Sequence, residues 1–263
     1  MAEHIDRKAL KAPDAFQKAG LDARAWLAGR ERLVLGLVVS AFALFGGFAV
    51  VQWFAERADA RAALVLGETL TLLERPVGGT AGTASAAGDS EKPFSTQKEK
   101  DEALSAALVR FQNEHANTRS ARAAQLPLAS AALRLGKPDE AIRLSEDYLR
   151  HFSSGTPLRS AALEVKGYAL EAKKDFSGAA SVFDQMVAES ADGLLRGMGH
   201  YHRARMLLSQ DRALDAANAF EEATLAAPGS AAAQLARDRL ETLARQGVFP
   251  SVVAATDAGT RAP

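Results

Sequence analysis

Small apolar residues recur along the second half of the chain at a nearly constant interval. Ala103, Ala141, Ala179 and Ala216 are separated by 38, 38 and 37 residues. A period of this size is typical of a stack of helical repeats, in which each unit is a pair of helices joined by a turn. The pattern therefore predicts an all-α fold, an α-solenoid, in which each of these alanines opens the second helix of a unit.

A second pattern lies nearer the amino terminus, where the 23 residues of 33–55 include no charged side chain. About 20 apolar residues in a helix are enough to cross the hydrocarbon core of a bilayer. A buried core helix is the weaker interpretation, because core helices are rarely so long and free of charge. A cleaved signal peptide, with cleavage near Ala60, is disfavoured by the length of the apolar run and of the region before it. We expect one transmembrane helix over residues 33–55.

Basic residues around this segment favour one orientation. Residues 1–32 carry seven lysines and arginines, whereas only Arg57 and Arg61 follow the apolar run closely. Positive charge is enriched on the cytoplasmic side of a membrane span. We therefore expect a cytoplasmic amino-terminal tail over residues 1–32 and a translocated carboxyl-terminal part. In a Gram-negative bacterium, this arrangement is an inner-membrane protein with a periplasmic domain.

The pattern changes twice after the apolar run. Residues 56–75 continue as a predicted helix after the membrane, with an apolar stripe formed by Ala62, Leu66, Leu70 and Leu73. Residues 76–96 then consist mainly of glycine, alanine, serine and threonine. Such a composition buries too little apolar surface to offset the entropy of ordering, so the sequence predicts a flexible linker.

The repeats resemble the tetratricopeptide repeat. That family places a small residue in the first helix, an alanine twelve positions later, then an aromatic residue, a second alanine and a proline. The last repeat follows this order closely with Ala204, Ala216, Phe220, Ala223 and Pro228. The two preceding repeats fit more loosely, with Gly167, Ala179, Phe183 and Met186 in one and Ala129, Ala141, Ser145 and Tyr148 in the other.

The repeat domain is predicted to span residues 97–246. Its first helix, from about Gln97 to Glu114, has no partner directly upstream, so we expect the helix of residues 56–75 to pair with it. Pro127 falls within a predicted first helix, which must therefore start late or bend. A last helix caps the stack, with Ala232, Ala236, Leu240 and Leu243 on its buried side, and residues 247–263 form a loose tail.

Composition excludes several function classes. The 32 basic residues balance the 32 acidic ones, and no cysteine is present. The charge balance argues against nucleic acid as a partner, and the lack of cysteine removes thiol catalysis and cysteine metal sites. His200 and His202 point to nearly opposite sides of a helix, so they are badly placed to share a metal. We expect no enzyme activity, no cofactor, no metal and no small-molecule substrate.

The combined layout is similar to that of the single-span inner-membrane tetratricopeptide proteins of Gram-negative bacteria, such as the ancillary Sec translocon subunits of the YfgM type. This resemblance covers about residues 25–245, and the glycine-rich segment departs from it. It implies a membrane-tethered scaffold that binds other proteins, such as the Sec translocon, periplasmic chaperones or envelope-assembly factors. Two alternatives remain: a self-assembling structural component and a non-catalytic regulatory arm of another membrane complex.

The inner, concave face of such a stack is formed mainly by the first helices. Positions along each first helix are counted from its small residue. This count places ten candidate peptide-binding or protein-binding residues on the concave face. Aromatic side chains beside apolar ones suit a bound peptide, although Tyr168 and Tyr201 also fit the role of packing residues. The ten are Leu126, Ser130, Leu133, Arg134, Glu164, Tyr168, Glu171, Tyr201, Arg205 and Leu208.

Overall fold

A computed structural model describes Trp26 and residues 30–78, 93–156 and 158–251. Among these residues every regular element is a helix, so the predicted all-α class is confirmed. The chain divides into two compact units, Met1–Ala58 and Asp59–Pro263. Most of the predicted cytoplasmic tail lies outside the described residues, as do residues 79–92 of the predicted linker and residues 252–263 of the predicted carboxyl-terminal tail.

The first unit contains most of helix α1, which spans Glu31–Leu70. The large apolar side chains that the structure describes in this unit are exposed, with Phe42, Leu44 and Phe45 each 75% accessible. Trp53 packs edge to face on Phe54. Within the described residues, the stretch Leu35–Leu73 is the one helix long and apolar enough to cross a membrane.

Helix α1 continues without a break beyond the charge-free segment, so residues 56–75 do not begin a new helix. Its end, from Asp59 onward, belongs to the second unit, and a short 3₁₀ turn follows over Thr71–Leu73. Ala62 is fully buried, and Leu66 and Leu70 pack in the same core, as the predicted stripe requires. Leu73 is 43% exposed, and Leu72 packs in its place. The tighter 3₁₀ turn has three residues per turn, which shifts the stripe by one position.

The second unit contains nine further described helices, which pack mainly against their neighbours in sequence. The pairs α4–α5, α6–α7 and α8–α9 are the three full repeats, and α10 caps them. The helices are α2 (Gln97–Glu114), α3 (Arg119–Ala123), α4 (Gln125–Arg134), α5 (Pro138–His151), α6 (Arg159–Ala172), α7 (Phe176–Glu189), α8 (Gly193–Leu208), α9 (Ala213–Ala226) and α10 (Ala231–Arg245).

The same turn joins the two helices of each repeat. Gly136, Lys174 and Asp211 adopt the left-handed conformation, with φ of 74°, 63° and 58°. The amide of the next residue donates to a carbonyl five residues back, as in Lys137 to Ala132 at 2.9 Å. This is the usual way to satisfy the last carbonyls of a helix. Lysine and aspartate tolerate this conformation less well than glycine, at a cost of about 1 kcal/mol or more each.

Small residues let the paired helices approach closely. Ala141, Ala179 and Ala216 are completely buried, as are Phe183 and Phe220. A methyl group added to Gly167 would lie only 2.4 Å from Cζ of Phe183. The predicted small-residue positions of the repeats are thus required by helix packing.

The fourth alanine of the periodic series is displaced by one residue. Ala103 is only half-buried, whereas Leu104, Leu108 and Phe111 form the buried side of α2. The spacing from Leu104 to Ala141 is 37 residues. Helix α2 packs in a core lined by the small side chain of Ala62, which leaves room for leucine in place of alanine.

The end of α1 is the missing partner of α2, as the sequence predicted. Lys100 Nζ donates to the carbonyls of Leu73 at 2.6 Å and Arg75 at 2.7 Å. On the neighbouring α3, the amide and hydroxyl of Ser120 donate to Asp59 Oδ1 at 2.8 and 2.9 Å. These polar contacts hold the end of α1 and the turn that follows it against α2 and α3.

Pro127 is accommodated because its helix starts late. Helix α3 ends at Ala123, and α4 begins at Gln125, so the proline occupies the third position of α4. Backbone amides in the first turn have no intrahelical partner, and proline removes nothing there. The first of the two predicted alternatives is therefore confirmed.

The described ends of the linker region are joined to each other, which the composition does not predict. Val77 and Phe94 form an isolated parallel bridge, and the Gly78 amide donates to the Phe94 carbonyl at 3.0 Å. The Phe94 ring is buried beneath the Arg75 guanidinium, 4.5 Å from the ring centroid. The chain segments just before and just after the linker are thus bonded to each other at one place on the domain.

The substitution Gly167→Ala tests the close helix packing. We expect it to lower the free energy of unfolding by about 1–3 kcal/mol, because the added methyl group overpacks Phe183. Gly67→Ala is the matched control, since no atom lies within 4 Å of the added methyl group. The control should gain up to about 1 kcal/mol from helix propensity. Urea unfolding of the full chain in detergent, followed by circular dichroism, measures both. Equal stabilities for the two variants would contradict the packing argument.

Candidate functional site

The predicted inner face lies along α4, α6 and α8, which neighbour one another in the stack. The structure connects the middle and last of these helices through side chains that are 34 residues apart in sequence. The Tyr168 hydroxyl on α6 lies 3.1 Å from His202 Nε2 on α8 and 3.3 Å from Glu164 Oε1. Arg205 on α8 pairs with Glu171 on α6. Four of the ten predicted residues thus belong to one network.

His202 is the centre of this network and is only 3% exposed. Its Nδ1 lies 3.2 Å from a guanidinium nitrogen of Arg205. A guanidinium only donates hydrogen bonds, so Nδ1 accepts and the ring carries its proton on Nε2. The Nε2 proton then faces Tyr168 and Glu164, whose Oε1 lies 3.3 Å away. The imidazole also packs on the Phe183 ring at 5.0 Å.

The network shifts the pKa values of Tyr168 and Glu164. Burial, together with the neighbouring Glu164 carboxylate, raises the pKa of Tyr168 to about 12. The hydrogen bond from His202 lowers the pKa of Glu164, against the opposing effect of burial. Tyr168 therefore remains a neutral hydroxyl and Glu164 a carboxylate near neutral pH. This end of the inner face presents a hydroxyl beside a negative charge.

At the other end of the row, Arg134 supports the fold. Its Nε and terminal nitrogen donate to Asp101 Oδ1 at 2.9 and 2.8 Å, and the Asp101 side chain is only 2% exposed. Asp101 lies on α2, so this pair joins α2 to α4. The Ser130 hydroxyl donates to the Leu126 carbonyl at 3.1 Å.

The apolar members of the row are largely covered. Leu126 is 7% exposed and Tyr201 is 8% exposed, the latter packed beside the Phe220 ring at 5.7 Å. Leu133 and Leu208 pack against the cores of the first and last repeats. The packing interpretation thus holds for Tyr201, whereas Tyr168 is half-buried with its hydroxyl in the network.

Sequence reasoning did not identify His202 or Asp101 as partners of the residues on this face. Both are polar residues at buried helix positions, where an apolar residue is the default. One signal was available: the pairs Tyr168–His202 and Glu171–Arg205 are each 34 residues apart, about one helical turn less than the 37 residues between the equivalent Gly167 and Ala204. Adjacent first helices are neighbours in a stack, so complementary residues close to this spacing indicate contact.

The two histidines of α8, His200 and His202, lie on different sides of the helix. His200 Nδ1 lies 3.0 Å from Glu222 Oε2 on α9, away from the His202 network. Burial lowers the pKa of His200, and Glu222 opposes this effect. Among the described residues, no group of three or more histidine, cysteine or carboxylate side chains is placed to hold a metal ion.

Comparison with known proteins agrees with the repeat architecture. Residues 126–193 match the family model described as tetratricopeptide repeat. Two solved structures of nearly identical TPR-like repeats from a putative kinesin light chain of Podosopora anserina are similar at 20% identity and a TM-score of 0.44. The match to the first, a Q17M variant, covers 57% of this chain and 87% of that one; the second match covers 64% and 92%. No curated protein matches the chain.

The helical domain therefore contains tetratricopeptide repeats. Repeats of this kind usually form non-catalytic surfaces that bind other proteins.

Removing Arg134 tests its structural role. Arg134→Ala leaves the Asp101 carboxylate buried and without its cation, so we expect a loss of about 3 kcal/mol in unfolding free energy. This is the lower end for a broken buried pair, because the guanidinium is partly exposed. Lys98→Ala is the control on α2, since the Lys98–Glu102 pair is exposed at both ends. It should change stability by less than about 0.5 kcal/mol. Similar losses in the two variants would refute the structural role of Arg134.

Proposed function

We propose that the chain is a membrane-anchored scaffold that binds partner proteins on the inner face of its repeats. Residues 33–55 span the inner membrane, residues 1–32 stay in the cytoplasm, and the repeat domain of residues 97–246 lies in the periplasm. Residues 56–75 lead from the membrane to the repeats, and 76–96 and 247–263 are peripheral segments. The Sec translocon, periplasmic chaperones and envelope-assembly factors are the partner classes that the sequence resemblance suggests.

The proposal for binding depends on the network that links α6 and α8. Its carboxylates have partners within the network: Glu171 pairs with Arg205, and Glu164 lies beside the His202 ring. A face of this kind lacks a cluster of unpaired cations for gripping an acidic tail. We propose that it instead recognises a peptide through the half-buried Tyr168 ring and the rim of paired charges, as aromatic and arginine side chains do at many interfaces.

The proposal for a membrane anchor depends on helix α1. Its charge-free stretch is helical, and the large apolar side chains that the structure describes between Leu33 and Phe54 are 44–75% exposed. Water would penalise such a surface, whereas hydrocarbon would cover it. Anchoring would confine the repeats to the membrane surface and raise their effective concentration for partners that lie there.

A charge swap separates binding by the inner face from its structural role. The double variant Glu171→Arg with Arg205→Glu keeps an ion pair but reverses the charge at each position. We expect unchanged helicity, and a loss of about tenfold in partner capture, which corresponds to about 1.4 kcal/mol. The measurement is quantitative mass spectrometry of proteins crosslinked to the chain in native membranes.

The matched control for this experiment is the swap Glu146→Lys with Lys166→Glu on the other side of the stack, where Lys166 Nζ and Glu146 Oε1 are 2.9 Å apart. The control should capture the same partners as the wild-type chain. Retention of all partners by the inner-face variant would refute the binding proposal.

Extraction and protease experiments test the anchor. The wild-type chain should stay in the membrane pellet after sodium carbonate, and protease added to spheroplasts should digest its repeats. Phe42→Arg with Phe45→Arg should release the chain, because each arginine in a span costs about 2.5–3.5 kcal/mol. Phe42→Leu with Phe45→Leu is the control that keeps the chain in the membrane. A shortened mature chain would support the signal-peptide alternative instead.

A further inference from the structure

The turns of the repeat stack lie at two opposite edges. Successive helices from α2 to α10 pack on one another and are joined by short turns, so the chain runs back and forth between these edges. The turns that precede α3, α6, α8 and α10 lie at the first edge: residues 115–118, 152–156 with Leu158, 190–192 and 227–230. The turns inside the three repeats lie at the second edge: residues 135–137, 173–175 and 209–212.

Charge distinguishes the two edges. Among the turn residues of the first edge, Asp192 is the only acid, lysine or arginine, and its carboxylate caps α8 by accepting from the Leu194 amide at 2.7 Å. Six of the ten turn residues of the second edge are charged: Lys137, Lys173, Lys174, Asp175, Asp211 and Arg212. Water solvates charged turns readily, whereas a charge at an apolar surface loses its hydration. The first edge is therefore the one suited to contact with an apolar surface.

Exposed leucines add apolar surface to the first edge. Leu158 before α6, Leu194 at the start of α8 and Leu225 at the end of α9 are 55%, 49% and 69% exposed. Exposed apolar side chains also occur at the second edge, but there they lie among charged residues, as Leu214 does beside Arg212. The first edge thus combines large apolar side chains with turns that are polar and nearly uncharged.

Arginines stand beside the turns of the first edge. Arg119, Arg196 and Arg237 are exposed, and none forms an ion pair with another described residue. Arg196 and Arg237 instead donate to carbonyls of the neighbouring turns, at 3.1 and 2.7 Å. Glu114, at the end of α2, is an acid of the same edge, so the unpaired bases outnumber it. Guanidinium groups bind phosphate oxygens well, which favours a phosphate-bearing surface as the occupant.

The covalent chain holds this edge close to the proposed membrane span. Asp59 accepts from the Ser120 amide at 2.8 Å, and Ser120 directly follows the turn of residues 115–118 and Arg119. Asp59 is four residues after Ala55, where the charge-free stretch ends, and four residues reach at most about 14 Å. The headgroup region of a bilayer extends about 5–7 Å beyond its hydrocarbon core. Chain length alone thus keeps this part of the first edge within reach of the lipid headgroups.

We propose that the first edge of the repeat stack binds the surface of the phospholipid bilayer. Leu158, Leu194 and Leu225 enter the interface, as the apolar residues of interfacial segments do, and the arginines contact lipid phosphates. The charged second edge faces the water. This inference rests on the proposed membrane anchor and adds to it a second, peripheral contact between the repeats and the lipid.

Fluorescence quenching tests the proposal in the full-length chain, which has no native cysteine to interfere with labelling. Ser154→Cys and Gly229→Cys each carry an NBD dye at the first edge, and Lys173→Cys carries it at the second edge as the control. No atom lies within 4 Å of a side chain added at Gly229. In phosphatidylethanolamine–phosphatidylglycerol vesicles with nitroxide-labelled headgroups, we expect strong quenching at positions 154 and 229 and little at position 173.

Charge placed on the first edge provides the second arm. The variant Leu194→Glu with Leu225→Glu should lose most of the quenching at position 229, because its carboxylates resist transfer from water and are repelled by anionic lipid. Val109→Glu with Leu214→Glu is the matched control, at positions that are 45% and 54% exposed and lie away from the first edge. It should keep the quenching of the labelled wild-type chain. Circular dichroism should show equal helicity for the two variants.

The outcomes separate this inference from the anchor on which it rests. A labelled chain that stays in the membrane after sodium carbonate, yet is not quenched at positions 154 and 229, would overturn the lipid contact alone. Equal quenching at position 173, or full quenching in the Leu194→Glu, Leu225→Glu variant, would also overturn it. Release of the chain by carbonate would overturn the anchor and the lipid contact together.

Discussion

Close contact between the two helices of each repeat is the constraint on which the domain depends. Gly167 faces the Phe183 ring with no space for a methyl group, and Ala129 and Ala204 hold the equivalent places in their repeats. Once these residues fix the distance between helices, phenylalanine and methionine side chains fill the remaining space. The left-handed turn residues follow from the same constraint, because a short turn must reverse the chain over closely packed helices, even where Lys174 and Asp211 tolerate that conformation poorly.

Polar contacts act at a second level, between repeats. On the inner side, Tyr168 meets His202 and Glu171 meets Arg205; on the outer side, Lys166 meets Glu146 and Arg203 meets Asp184. Partly exposed ion pairs add little stability individually. They do fix which residues stand next to each other along the stack. The polar side chains on both sides of the middle and last repeats are therefore largely paired within the stack. The first repeat differs most from these two.

Much of the fold was predictable from local patterns. The periodic alanines and the apolar stripe of the capping helix each reflect a local packing requirement, and each helix that they predict is present. The displacement from Ala103 to Leu104 was not predictable, because it depends on the small residues of a helix that is distant in sequence. The late start of α4, by contrast, is one of the two outcomes that Pro127 predicts. Within the candidate site, the frame of the first helices found Tyr168 and Arg205. It could not show that Tyr201 is covered or that His202 joins them, because burial on one helix is decided by the next.

The bridge between Val77 and Phe94 has a consequence for how the chain can change. Two backbone hydrogen bonds, from Gly78 to Phe94 and from Phe94 to Pro76, bring both ends of the intervening stretch to a single place on the domain. Loop closure depends only weakly on length, at about 0.6 kcal/mol for each doubling. Insertions at this place would thus hardly lower the stability of the stack. It is therefore a suitable site for inserting a tag, an epitope or an entire additional domain.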